Sequence, residues 1–233
     1  MSVRVAGIIL AAGRSTRMGS PKQLLEIDGR PMIAHVIDTA LATTLDEIVV
    51  VVGHAATRIR AAIAQTVVGA GRGKVPLRVV EAGAEPQGIS QSLRVGIRAA
   101  CAAGADAAAV LLGDEPDVRA CDIDRCLERY RGAGAVAAVG DGTDDSDGTD
   151  DGLATARPDI VRAVYIAGDT RRPGHPVVFD SIVFPEIDTL DGDRGARAVV
   201  EALSTRVVEV EIEGGAPVDI DTPEELEARR RGV

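Results

Sequence analysis

The chain contains no tryptophan and only two tyrosines and two phenylalanines in 233 residues. Its core must therefore be built from Ala, Val, Ile and Leu. The aromatic stacking platforms that single-stranded nucleic acids require are missing. Lysine is almost as rare: Lys22 and Lys74 stand alone, and arginine carries the remaining positive charge. With a formal net charge of −10, the molecule repels nucleic acid and anionic membranes at long range. The three cysteines, Cys101, Cys121 and Cys126, form no C-x-x-C pair and no zinc spacing, so they are expected as inert thiols in a reducing compartment. No run approaches the roughly 20 apolar residues of a membrane span. The start, MSVRVAGIIL, is a strand-length apolar run without a charged leader. A cytoplasmic protein without nucleic-acid or membrane partners is expected.

What is present is a regular alternation. Strand-like runs at Val5–Leu10, Ile48–Val52, Leu77–Val80 and Ala107–Leu112 are separated by helix-like stretches at Pro31–Ala42, Arg58–Ala64 and Ser90–Ala103. This pattern implies βαβ units with right-handed crossovers. A helix at Asp122–Arg131 and a strand at Ala135–Val139 lead into GDGTDDSDGTDDG, residues 140–152. The crowded aspartates there predict a solvated, mobile loop, and the spacing does not match a calcium-binding EF-hand loop. Beyond it, strands are expected at Val161–Ile166, Pro176–Phe179 and Val207–Ile212, a helix near Asp193–Leu203, and a final helix starting at Thr-Pro-Glu-Glu. The predicted architecture is α/β: residues 1–233 form a single domain with a Rossmann-like, doubly wound, mostly parallel sheet and an antiparallel edge strand.

In such sheets ligands gather beyond the carboxyl ends of the strands. The first of those ends carries LAAGRSTRMGSPK, with Gly13, Arg14, Arg17, Gly19 and Lys22 inside ten residues. Glycines let backbone N–H groups approach phosphate oxygens, and the cations offset their charge. The spacing is neither that of a Walker A loop, which needs four residues between its glycines, nor the G-x-G-x-x-G dinucleotide fingerprint. The next such end, LLGDEPDV, places Asp114 directly after a strand, where a carboxylate suits Mg²⁺ bridged to phosphate oxygens. Glu115 is expected to point away from it. Asp219 and Asp221, in VDIDTPEEL, either complete that metal site or cap the last helix, with Asp221 and Thr222 as the possible caps. Ser90 and Ser92, at the start of a helix, read equally as contacts to a nucleobase edge and as N-caps. His175 in RRPGHPVVF and Arg194 and Arg197 in DGDRGARAVV hint at a second anionic ligand, because cations at a helix start oppose its dipole. The competing reading is a satisfied loop histidine with surface arginines. No Ser/His/Asp or Cys/His nucleophile is discernible.

Taken in order, LAAGRSTRMGSPKQLLEIDGRPMI, GISQSLRVGI, LLGDEPDV, GHPVVF, LDGDRGAR and DIDTPEEL resemble the motifs of MobA-like nucleotidyltransferases. Within them, the molybdenum cofactor cytidylyltransferases are the nearest branch. The resemblance runs from Val5 to about Leu226. It implies a nucleotide-diphospho-sugar-transferase-like fold and transfer of a nucleotidyl group from an NTP to a phosphate-bearing acceptor, releasing pyrophosphate. It further implies that Leu10, Ala11, Ala12 and Gly13 border the base and ribose, and that Arg14, Arg17 and Lys22 bind the triphosphate. Ser90 and Ser92 would lie near the base. Asp114 and Asp221 would hold Mg²⁺, and His175, Asp193, Arg194 and Arg197 would face a phosphorylated pterin cofactor. The sequence LAAG, where the guanylyl-transferring branch reads LAGG, favours CTP over GTP. Alternatives are GTP or another NTP used on a different phosphorylated acceptor, and a non-catalytic nucleotide-binding accessory of molybdenum hydroxylase maturation. A molybdenum hydroxylase is the expected protein partner. Asp-Glu-Pro in place of Asp-Gln-Pro, GISQSL in place of GMSxSL and the acidic 140–152 stretch depart from the family pattern.

Overall fold

The computed structural model describes residues 2–13, 20–70, 75–83, 88–132, 157–192 and 195–231. The strand expected at 135–139 and the acidic stretch 140–152 lie outside them. In chain order the elements are β1 (Val5–Ala11), β2 (Glu26–Ile27), β3 (Arg30–Pro31), α1 (Met32–Leu41), β4 (Glu47–Val52), α2 (Ala56–Ala70), β5 (Leu77–Glu81), α3 (Gly88–Ala102), β6 (Ala107–Leu112) and α4 (Ala120–Arg131). They continue with β7 (Ile160–Ala167), β8 (Thr170–Asp180), α5 (Phe184–Asp188), α6 (Ala196–Ala202), β9 (Val207–Glu213) and α7 (Pro223–Arg230). The β-branched and alanine-rich runs thus form strands and the amphipathic stretches form helices, as the alternation predicts.

Seven strands form one sheet in the order β5-β4-β1-β6-β8-β7-β9, and β2 with β3 makes a separate small ribbon. From β1 the chain winds outward to β4 and β5, then returns to lay β6 on the other flank of β1. The strand order therefore reverses between β1 and β6, which opens a crevice at their carboxyl ends. β8 is antiparallel to both β6 and β7, whereas β7 and β9 are parallel, so β8 alone runs against the rest. The antiparallel strand is interior, not at the edge as expected. β7 and β8 form a hairpin through Gly168, at φ 57°, and β9 pairs with the far side of β7.

Side chains alternate across the sheet with the strand period of two. Val5, Ile9, Ile48, Val50, Ala109 and Leu111 face a core layer with α1, α2 and α4. Ala6, Ile8, Val49, Val51, Ala108 and Val110 face a layer with α3, α5 and α6. All four aromatics of the chain, Tyr130, Tyr165, Phe179 and Phe184, are buried in these layers. None is left on the surface for a nucleobase to stack on.

A third, small cluster of Ile27, Met32, Ile220 and Leu226 fastens α7 and the segment before it to β2 and the start of α1. Four apolar side chains thereby decide where the carboxylates preceding α7 are placed. Replacing Leu226, 6% exposed, by Ala is expected to cost about 2–4 kcal/mol locally. Hydrogen exchange should then accelerate across residues 218–230 while β1 and β6 stay protected. Uniform loss of protection over the sheet would contradict this local role.

Candidate active site

The carboxyl end of β1 delivers Ala12 and Gly13 to the crevice, and the chain returns as a 3-10 turn at Lys22–Leu24. The Lys22 side chain is 12% exposed, and its ammonium pairs with Asp114, which follows β6, and with Asp221 Oδ1 at 2.6 Å. Burial lowers the affinity of such an amine for its proton. The two carboxylates more than offset this and leave the Lys22 pKa raised. Asp221 is free to face Lys22 because Thr222 caps α7. Glu225 N donates to Thr222 Oγ1 at 3.2 Å, and Glu225 Oε2 accepts from the backbone of Thr222 (2.9 Å) and Asp221 (2.8 Å). These backbone donors hold the Glu225 carboxyl below its usual range, with that of Asp221 foremost. The capping box thus gives the cap of α7 to Thr222 and not to Asp221. Ile220 N also donates to Asp114 O at 3.3 Å, tying the two carboxylate motifs together.

A second group lies beside the first. β8 pairs with β6 so that Val177 is opposite Val110, which carries His175 toward the end of β6. Against β7, Arg162 is opposite Val177 but Ala163 is opposite Gly174, so His175 and Pro176 form a bulge. Bulges re-aim side chains beside functional sites. His175 Nδ1 meets Glu115 Oε1 at 3.1 Å. Burial disfavours the imidazolium, but the hydrogen bond and charge of Glu115, with Asp219 and Asp114 behind, outweigh it and raise the His175 pKa. Asp219 is pushed up to about 7, first by burial and then by Glu115 and Asp114. The buried Oε2 of Glu115 has no hydrogen-bonding partner among the described residues. Contrary to expectation, Glu115 is therefore inside the site. Its position after a buried strand signals that a carboxylate is near the sheet end, but nothing in the local pattern orients it.

At the end of β1 Leu10 and Ala11 are buried, and Ala12 and Gly13 reach the surface. A Cβ on Gly53 would lie 3.0 Å from the Ala12 carbonyl oxygen, and one on Gly113 would lie 3.1 Å from Leu10 O. Both glycines let neighbouring backbones close around the end of β1. Ser92 is buried, and the Ser90 hydroxyl donates to Gly192 O at 2.7 Å. Ser90 thus joins the start of α3 to the LDGDRGAR segment. Arg197 lies on α6, strongly exposed, with its Nε 2.7 Å from Glu201 Oε1; it is not brought to the Lys22 or His175 groups. Arg14, Arg17, Asp193 and Arg194 lie outside the described residues.

Asp114 and Asp221 converge on one cation position, which the Lys22 ammonium shares. Among the described residues no three His, Cys, Asp or Glu side chains form a metal cage. Two carboxylates on an open face fit a hard divalent ion that completes its shell with water and phosphate oxygens. Cys126 is buried and its thiol is pushed up to about 12 by that burial, so it supplies no nucleophile.

A Rossmann-like sheet with a cation-carboxylate group at its switch point is an α/β protein with a ligand crevice at the carboxyl ends of its strands. The family model of the MobA-like NTP transferase domain matches residues 7–207, and the chain belongs to that family. Rv0371c from Mycobacterium tuberculosis H37Rv is similar over 99% of both chains, with 25% identity and a TM-score of 0.72. A second structure of Rv0371c, a complex with manganese, has 25% identity and a TM-score of 0.69 over 99% of this chain and all of the other. A nucleotidyl transferase from Methanothermobacter thermautotrophicus, Mth528, shares the fold at 23% identity, TM-score 0.66, over 98% of this chain and 97% of that one. The bifunctional protein GlmU of Cupriavidus taiwanensis is 56% identical over 59 residues, 24% of this chain and 13% of GlmU. The chain therefore matches only a small part of that relative. No described helix is long and apolar enough to cross a membrane.

The Asp219 pKa has a consequence for stability. It rises from 3.8 to about 7 on folding, so the folded chain keeps a proton that the unfolded chain has lost. That contribution is complete below 3.8 and is lost as pH rises through about 7. Asp219→Asn should therefore raise the melting temperature more at pH 8 than at pH 5. The gain will be modest because Asp219 keeps solvent on one side. An equal shift at both pH values would contradict the assignment.

Proposed function

We propose that the protein transfers CMP from CTP to the phosphate of molybdopterin and releases pyrophosphate. The observation that carries this reading is the meeting, at one crevice, of Lys22 with Asp114 and Asp221, beside His175 and Glu115. One side offers a cation and metal-type carboxylates for a triphosphate, and the other a histidine for an anionic acceptor. The resemblance of GHPVVF and LDGDRGAR to the molybdenum cofactor branch supports the pterin. LAAG at residues 10–13 supports cytosine, which must be read by hydrogen bonds and aliphatic contact because every aromatic is buried.

In this reading an acceptor phosphate oxygen attacks the α-phosphorus of CTP, a P–O bond forms, and the bond to the bridging oxygen breaks in line as pyrophosphate leaves. No covalent intermediate with the protein is involved. Lys22, with Arg14 and Arg17, neutralises the triphosphate and the charge that builds on the leaving group. Leu10, Ala11, Ala12, Gly13, Ser90 and Ser92 border the nucleoside. His175, with Asp193 and Arg194, faces the acceptor, whereas Arg197, paired with Glu201 on α6, is given no part in it. Asp114 and Asp221 would hold Mg²⁺, which when bound supplies Lewis-acid stabilisation of the phosphate oxygens. The manganese found with the similar Rv0371c supports a divalent ion of this type. A molybdenum hydroxylase that receives the product is the partner this reading implies.

Each NTP is incubated with molybdopterin, sugar phosphates and alcohol phosphates, and products are identified by mass. CTP with molybdopterin should give the cytidylylated pterin and pyrophosphate. A dominant product from GTP or from another acceptor overturns the specificity. Nucleotide binding without pyrophosphate release would instead indicate the accessory role. Lys22→Ala and Asp114→Ala should each lower turnover by at least ~10²-fold, the scale of a lost electrostatic contact. Pyrophosphate release at the parent rate from either variant contradicts the role assigned to it.

A further inference from the structure

Glu115 belongs to the strand end that supplies Asp114, yet its carboxyl serves a different group. Its side chain is 8% exposed, and Oε1 engages His175 Nδ1 at 3.1 Å. The backbone of His175 is fixed independently, because the Tyr165 hydroxyl donates to His175 O at 2.8 Å. The Tyr165 ring can pass this close only because residue 174 is glycine: a Cβ there would stand 2.9 Å from Tyr165 Cε2. His175 is thus held at its carbonyl by one side chain and at one ring nitrogen by another, on a bulge that frees it from the β7–β8 ladder. With Nδ1 committed to Glu115, any contact between the ring and a ligand passes through Nε2.

We propose that Glu115 is the positioning residue of the acceptor half of the site: it holds the His175 ring by Nδ1 so that Nε2 meets the acceptor's phosphate. This rests on the acceptor role given to His175 above. The dipeptide Asp114–Glu115 then couples the two halves of the reaction. Asp114 sets the cation that meets the triphosphate, and Glu115, one residue on, sets the ring that meets the nucleophile. A shift of the turn after β6 would move both together, and correct relative placement of two reactants is worth large rate factors.

The chain has three histidines, His35, His54 and His175, so long-range proton–nitrogen NMR resolves each imidazole. In the parent, His175 should keep a proton on Nδ1, donated to Glu115, and inorganic phosphate should draw a second proton onto Nε2 and shift its resonance. Glu115→Gln keeps an acceptor oxygen and should retain both signatures. Glu115→Ala and Glu115→Met, the second apolar and of similar length, should redistribute the proton between the ring nitrogens and abolish the phosphate response. Two apolar variants guard against a folding defect in either one. In the transfer assay they should raise KM for molybdopterin about tenfold or more, the scale of one charged hydrogen bond, and leave KM for CTP within about twofold. Unchanged His175 signals and acceptor KM in both apolar variants overturn the assignment. Absence of transfer by the parent protein overturns the acceptor reading instead, and the NMR comparison still decides the role of Glu115.

Discussion

The site depends on one buried amine and the two carboxylates that keep it charged. An ammonium removed from water is costly unless oppositely charged partners surround it, and Lys22 finds them on Asp114 and Asp221. Those partners come from the end of β6 and from the segment before α7, which are far apart in sequence. Pairing them draws the loop after β1, the turn after β6 and the C-terminal segment to one point at the sheet's switch position. The apolar cluster of Ile27, Met32, Ile220 and Leu226 and the capping box of α7 keep the Asp221 backbone where the pairing needs it.

The same crowding explains the neighbouring acid group. Burial, with the carboxyls of Glu115 and Asp114 close by, pushes Asp219 up to about 7, while Glu115 Oε1 engages His175 Nδ1. The net result is a graded surface. A cation sits between carboxylates on one side, and an imidazole braced by a carboxylate stands on the other. Close backbone approach at Gly53 and Gly113 draws neighbouring segments together around the end of β1.

Much of this was legible in the sequence. β-branched runs located the strands, and Lys22 was conspicuous in an arginine-rich chain. Asp114 and Asp221 were conspicuous as carboxylates after a buried strand and before a helix, with capping left open for Asp221. Three features were not legible. The strand expected at Pro176–Phe179 begins instead at Thr170, so the first half of β8 was missed. The hairpin that makes this half strand depends on pairing with β7, a tertiary effect. The interior place of β8 was hidden for the same reason. Glu115 was turned the wrong way because its orientation follows from a bulge sixty residues later, at His175. The Ser90 hydroxyl also bonds Gly192 O, a partner no local pattern reveals.

The central claim is that Lys22 shares with a divalent ion the position between Asp114 and Asp221. Manganese binding followed by electron paramagnetic resonance, without nucleotide, tests it most directly. If the claim holds, Lys22→Met binds Mn²⁺ more tightly than the parent, and Asp221→Asn in the same background removes the gain. Equal Mn²⁺ affinity in the parent, Lys22→Met and the double variant would contradict it.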